Sequence, residues 1–154
     1  MKMALYLVQH GQHLPKEIDE KQGLSEQGID EVERIADTAA VYGVKIDRIL
    51  HSEKKRARQT ADIFAKKLNV AGVAETGGLK ALDDPKAFAG QIRSDENLML
   101  VGHLPFMERM ASYLTTGKTD YTVFKFQNGG IVCLDKLPDS DSWAIVWALL
   151  PHIG

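Results

Sequence analysis

Short apolar runs alternate along the chain with longer stretches of helical spacing. Residues 3–8 are rich in strand formers and stop at His10-Gly11, which predicts a buried strand feeding a turn. Residues 12–24 are polar, contain Pro15 and Gly23, and read as a long loop. From Ser25 to Ala40, the spacing of Ile29, Val32, Ala36 and Ala39 predicts a helix. Ser25 is its expected N-cap, Glu26 lies in its first turn and Gly43 is its stop. Asp47 to His51 predicts a second strand. A basic helix follows from Lys54 to Leu68, with Ala57, Ala61, Phe64, Ala65 and Leu68 on its apolar face. Residues 71–85 hold three glycines and Asp83-Asp84-Pro85 and read mostly as loop, followed by a short helix from Pro85 to Ile92. Leu98 to Val101 is the clearest buried strand, ending at Gly102-His103. Pro105 suits the first turn of a helix that carries Phe106, Met110 and Leu114 and ends near Gly117. Ile131–Leu134 and Trp143–Leu150 predict two late strands. In the second, Trp143 and Trp147 are four residues apart, which places both on one sheet face.

Strands alternating with helices predict an α/β fold: a three-layer sandwich, with a mostly parallel central sheet and helices on both faces. The 154 residues are enough for one core, so a single domain over 1–154 is expected. In open α/β sheets, ligands bind beyond the carboxyl ends of the strands. Three predicted strands end there in His10, His51-Ser52 and His103.

Composition narrows the function classes. With 44% hydrophobic and 26% charged residues, the chain is neither disordered nor fibrous. Its net charge of −2 lacks the basic excess of a duplex-DNA protein, so no nucleic-acid partner is expected. One cysteine, Cys133, excludes an internal disulfide and a thiolate metal cluster, and its apolar strand marks it as core. No apolar run approaches the roughly 20 residues of a membrane span. The apolar start at residues 1–8 is too short for a signal-peptide core. A cytoplasmic location without membrane contact is the expectation.

The chemistry-bearing residues cluster at the strand ends. His10 and His103 occupy equivalent positions, each beside a glycine. Arg56 lies in a basic first helical turn, Lys54-Lys55-Arg56-Ala57-Arg58. Cations oppose the macrodipole there, so such a cluster fits either an anion site, phosphate above all, or a solvated basic face. His10 and His13 are three apart in a turn with no acidic or cysteine pattern following, so no metal site is expected and His13 reads as a rim residue. His51 reads as a strand-end residue and His152 as part of the tail.

Taken together, Gln9-His10-Gly11, Leu24-Ser25-x-x-Gly28, Ser52-x-x-x-Arg56-Ala57-x-Gln59-Thr60 and Gly102-His103-Leu104-Pro105 resemble the histidine phosphatase superfamily. The short chain looks most like its SixA-type protein phosphohistidine phosphatases. The resemblance implies a metal-independent hydrolase without cofactor. In that family the first histidine, matched by His10, takes the phosphoryl group onto a ring nitrogen. Two arginines and a second histidine hold the phosphoryl oxygens, and Arg56 and His103 match two of these three. Gln9, Gly11, Ser52 and Leu104 are the implied substrate-contacting neighbours. Gln9 departs from the pattern, since the family's first motif normally carries arginine there. An amide supplies neither the full charge nor the bidentate fork. Lys54 or Lys55 is a candidate compensating charge.

Many superfamily members supply a carboxylic acid for the leaving group. Asp83 and Asp84 fall in that region of the chain, although Asp-Asp-Pro also reads as a turn. Without an acid, the substrate needs a good leaving group, and phosphohistidine has one. The leading expectation is therefore a phosphatase acting on a histidine-phosphorylated protein, such as a signalling protein, through phospho-His10. A small-molecule phosphoester phosphatase is the first alternative. A phosphate-binding regulatory module with little turnover, marked by Gln9, is the second.

Overall fold

The computed structural model describes residues 3–153. Met1, Lys2 and Gly154, the outermost positions of the expected domain and apolar start, lie outside the described residues. In chain order the elements are β1 (Ala4–Gln9), α1 (Glu26–Val41), β2 (Arg48–His51), α2 (Lys55–Leu68), β3 (Gly72–Glu75), α3 (Pro85–Ala89), β4 (Leu98–Gly102), α4 (Phe106–Thr116), β5 (Ile131–Lys136) and β6 (Trp143–Leu149). The six strands form one sheet in the order β3-β2-β4-β1-β5-β6. Pairs β1/β4, β2/β4 and β2/β3 are parallel, while β5 runs antiparallel to both β1 and β6.

The period-2 pattern of β1 explains the layers. Tyr6 and Val8 pack into one core with Val32, Ile35 and Phe64 of α1 and α2. Leu5 and Leu7 pack into the other with Phe88, Phe106 and Met110 of α3 and α4. All four β1 residues are buried. Burial of side chains of this size stabilises by roughly 1.5–3 kcal/mol each. The central strands are apolar on both faces, and helices cover both, as the α/β sandwich requires.

Helix α1 starts where its cap predicts, with the Ser25 hydroxyl accepting from Gly28 N–H at 3.0 Å. Tyr42 closes the helix, and Gly43 follows at φ +74°, a left-handed conformation that suits glycine. Ile35 and Glu31 join the buried face of α1, while Ile29 is only half-buried. Gly28 has its own reason: a Cβ there would lie 2.0 Å from the Gln12 carbonyl oxygen. Backbone contact at Gly28 thus presses the loop after β1 against the start of α1.

Three expectations are corrected. The loop over 71–85 contains strand β3, an edge strand of which only Val73 is not exposed, so it leaves no apolar run to read. The helix expected to reach Ile92 ends at Ala89, with Gly90 as its C-cap. Trp143 and Trp147 lie on opposite faces, not one. The β5–β6 register shifts between Cys133, opposite Trp147, and Leu134, opposite Ile145. The extra residue, Val146, reverses the alternation, so Trp143 packs with the α3/α4 core and Trp147 with the α1/α2 core.

Candidate active site

The parallel register of β1 and β4 aligns Gln9 with Gly102, so both strands deliver a histidine to the same edge. His10 N–H donates to Gly102 C=O at 3.0 Å, and the His10 and His103 ring centroids are 5.0 Å apart. Strand β2 lies on the other side of β4, and its end places Ser52 Oγ 2.6 Å from His103 Nε2. Helix α2 follows immediately and supplies Arg56. Thr60 ties that helix to the turn beside His10. Its hydroxyl accepts from Gly11 N–H at 2.9 Å and donates to Arg56 C=O at 2.8 Å. The segment before β5 closes the remaining side: Asn128 Nδ2 donates to His10 C=O at 2.9 Å, and Gly129 N–H to Gln9 C=O at 2.8 Å.

These elements surround an open cleft of about 350 Å³. Gln9, His10, His13, Arg56, His103 and Asn128 line it, with Gln12, Ala81 and Leu104 at its sides. His10 Nδ1 lies 2.8 Å from Gly11 C=O. A carbonyl only accepts, so Nδ1 carries the proton and Nε2 keeps the lone pair. Burial pushes the His10 pKa down to about 4, and the Gly11 hydrogen bond only partly opposes this. His103, Arg56 and His13 push it further down. The His103 pKa is likewise lowered to about 4, by burial first, then by Arg56, Lys54 and His13. Both imidazoles are therefore neutral near pH 7. Burial also lowers the Arg56 pKa, though a guanidinium keeps its charge at pH 7.

Two buried polar atoms lack a protein partner among the described residues: Gln9 Oε1 and Arg56 Nε. Both belong to cleft residues. Buried polar atoms are nearly always paired, and leaving one unpaired costs about 1–3 kcal/mol. At a cleft, such atoms are hydrogen-bonding capacity open to water or to a ligand. A phosphoryl oxygen suits the free Arg56 N–H.

The other sequence-selected residues divide by position. Leu104 lines the cleft, whereas Gly11 and Ser52 stand behind it. A Cβ on Gly11 would come 2.8 Å from Val32 Cγ2, so glycine lets α1 pack against the turn. Asp83 and Asp84 do not line the cleft. Asp83 accepts from Lys80 N–H at 2.8 Å and Asp84 caps α3 by accepting from Lys86 N–H at 3.0 Å, which is turn and cap work. Lys55 is 2.9 Å from Asp19 and does not line the cleft, while Lys54 acts on His103 through space. His13 stands at the rim, with its ring centroid 5.6 Å from that of His10. His51 is buried, and its Nδ1 donates to Ser52 C=O at 2.8 Å. His152, expected in the tail, is 2.6 Å from buried Glu31 in an adjoining depression. Asn128 and Gln12 were not selected from sequence. The Asn128-Gly129-Gly130 string marks a turn, and it was the one available signal. Among the described residues, no group of three or more His, Cys, Asp and Glu side chains is placed to hold a metal ion, and no helix is long and apolar enough to cross a membrane.

A sequence model of the histidine phosphatase superfamily (branch 1) matches residues 5–83, just over half of the chain. The chain belongs to the histidine phosphatase superfamily. Its match spans β1, Arg56 and the loop to Asp83, while β4 with His103 lies beyond it. The fold is shared with solved members over nearly the whole length. The protein histidine phosphatase SixA complexed with tungstate superposes with a TM-score of 0.84 at 21% identity, covering 97% of each chain. A candidate phosphohistidine phosphatase SixA from Agrobacterium tumefaciens gives 0.77 at 27% identity, covering 98% of this chain and 99% of the other. A candidate α-ribazole-5′-P phosphatase from Escherichia coli gives 0.75 at 16% identity, covering 100% and 99%. No curated protein sequence matches significantly. This superfamily member is a phosphatase by family, and its fold is one that proteins described as phosphoprotein and as small-molecule phosphatases both use.

Proposed function

We propose that this superfamily member hydrolyses phosphohistidine on a protein, with His10 Nε2 as the nucleophile. The observation that carries the reading is the neutral His10, with Nδ1 held by Gly11 C=O, in a cleft shared with His103 and Arg56. In the first step, a bond forms between His10 Nε2 and phosphorus, and the P–N bond of the substrate breaks. Its electron pair returns to the substrate imidazole, which leaves neutral because its other nitrogen carries the proton. In the second step, water attacks phosphorus, the P–Nε2 bond breaks and both water protons end on inorganic phosphate. Arg56 and His103 hold the phosphoryl oxygens, and Ser52 holds His103. Phosphoryl transfer depends mainly on such positioning and charge stabilisation.

The substrate class follows from the leaving group. No carboxylate lines the cleft among the described residues. An alkoxide leaving group needs an acid, and an imidazole does not. The resemblance to SixA proteins supports the same choice, and the open cleft suits a phosphorylated side chain on a protein surface. Gln9, in place of the family's arginine, supports a second reading as a phosphate-binding module with little turnover.

The deciding experiment is to trap the phosphoenzyme. Incubation with phosphoramidate, followed by mass spectrometry at alkaline pH, should place an acid-labile phosphate on His10. Turnover with the label elsewhere would overturn the mechanism. Binding of phosphate without label or turnover would favour the module. Faster hydrolysis of alkyl phosphates than of phosphohistidine would overturn the substrate class.

A further inference from the structure

A second and larger hollow, of about 600 Å³, opens beside the cleft at the start of α2. The two share Arg56. Lys16, Lys21, Lys54, Lys55 and Arg58 complete a cationic lining around it. Lys16, Lys21, Lys54 and Arg58 are exposed, and Lys55 is partly neutralised by Asp19. Two carboxylates, Glu20 and Glu53, lie among them. In a chain of net charge −2, this is a marked separation of charge.

The placement also works against the local fold. Helix α2 has no acidic residue in its first turn, and its N-cap, Lys54, makes no side-chain capping bond. Cations at that end oppose the helix macrodipole. An arrangement that weakens the helix yet surrounds the approach to Arg56 is explained by an anionic partner.

We propose that this hollow docks an acidic surface of the substrate protein, next to its phosphorylated histidine. The proposal rests on the phosphoprotein reading above. A protein surface fits better than a nucleic acid for two reasons. Glu20 and Glu53 would repel a uniformly charged phosphate backbone, whereas a protein surface offers both signs. Among the described residues, no aromatic side chain lines the hollow to stack on a base. Docking of this kind sets register and speeds encounter, and salt weakens it.

The test uses two synthetic phosphohistidine peptides of equal length, one flanked by Asp and Glu and one by Lys. Phosphoramidate serves as the small substrate. Wild type should hydrolyse the acidic peptide with a kcat/KM about tenfold above that of the basic one at low salt, and added salt should shrink the gap. In the triple variant Lys16→Glu, Lys21→Glu, Arg58→Glu, the preference should vanish or reverse, with phosphoramidate hydrolysis within twofold of wild type. Equal rates on both wild-type peptides would overturn the docking site and leave the phosphohistidine reading standing. Hydrolysis of phosphoramidate but of neither peptide would overturn both. Equal losses on peptide and phosphoramidate in the variant would place these residues in folding or chemistry, not docking. Competition by single-stranded oligonucleotide stronger than by an acidic peptide would assign the hollow to nucleic acid.

Discussion

Restoring a guanidinium next to the proposed nucleophile, with Gln9→Arg, tests the charge economy of the cleft. Gln9 Oε1 is buried without a partner, and Arg56 is the sole Lys or Arg lining the cleft among the described residues. A neutral hydrogen bond from the amide to a bound oxyanion contributes about 1 kcal/mol, and a charge-assisted bidentate pair about 3 kcal/mol. The difference of about 2 kcal/mol corresponds to roughly thirtyfold tighter binding of vanadate. The second guanidinium also repels Arg56. Two cations on opposite sides of one phosphoryl group, about 8 Å apart, repel by about 2 kcal/mol at an effective dielectric of about 20. That repulsion exists with or without the anion, so it lowers stability and not affinity. The variant should therefore unfold at lower urea in plain buffer and recover in phosphate. Vanadate inhibition and urea denaturation, each with and without phosphate, measure both effects. Turnover rises only if the new contact strengthens in the transition state. Weaker vanadate binding with an intact fold would refute the reasoning and show a pocket arranged around the amide.

Four further outcomes are expected. Arg56→Ala should lower turnover about 100-fold or more, as loss of one oxyanion donor does, while Lys66→Ala on the exposed part of α2 should have little effect; equal losses would reduce Arg56 to part of a basic face. Imidazole ¹⁵N NMR of the phosphate-free protein should find His10 neutral and protonated at Nδ1 from pH 8 down to about pH 5, because burial lowers its pKa to about 4; a midpoint near 6.5 would contradict this. With folded values for His10 and His103 below the unfolded 6.5, the unfolded chain binds more protons between pH 6.5 and 4, so stability should fall as pH falls through that window. Gly28→Ala should destabilise by about 2 kcal/mol in urea despite alanine's better helix propensity, since its Cβ would meet Gln12 C=O at 2.0 Å; an unchanged midpoint would mean that the loop yields freely.

Much of the site was legible because it is built from strand ends. A run of strand formers stopping at a histidine beside a glycine is a local signal, and it occurs at both His10 and His103. Parallel pairing then makes the two meet. Arg56 was legible because four basic residues in a first helical turn conflict with the macrodipole. What stayed hidden depends on partners far away in sequence. Asn128 holds the His10 main chain across 118 positions, and the Asn128-Gly129-Gly130 string beside it announces a turn but not that partner. Glu31 reads as a solvated helix residue until His152 arrives beside it. The opposite faces of Trp143 and Trp147 follow from one extra residue at Val146, and alternation cannot be counted through a bulge. Strand β3 escaped because an edge strand needs hydrogen bonds on one side only and little apolar surface.

The sheet order has a consequence for biosynthesis. Strand β1 is made well before its two neighbours: Leu5 pairs with Leu98 on one side and with Leu134 on the other. At about 5–20 residues per second, that interval is on the order of 10 s. Throughout it, Leu5 to Val8 have no strand to join, and the histidine that follows them has neither Gly102 nor Asn128 to hold its backbone. A nascent chain stalled before β4 can close α1 on α2 but cannot assemble the cleft. The cleft is therefore complete only once β4 and the segment at Asn128 have both been made, and until then the apolar first strand stays without its sheet partners.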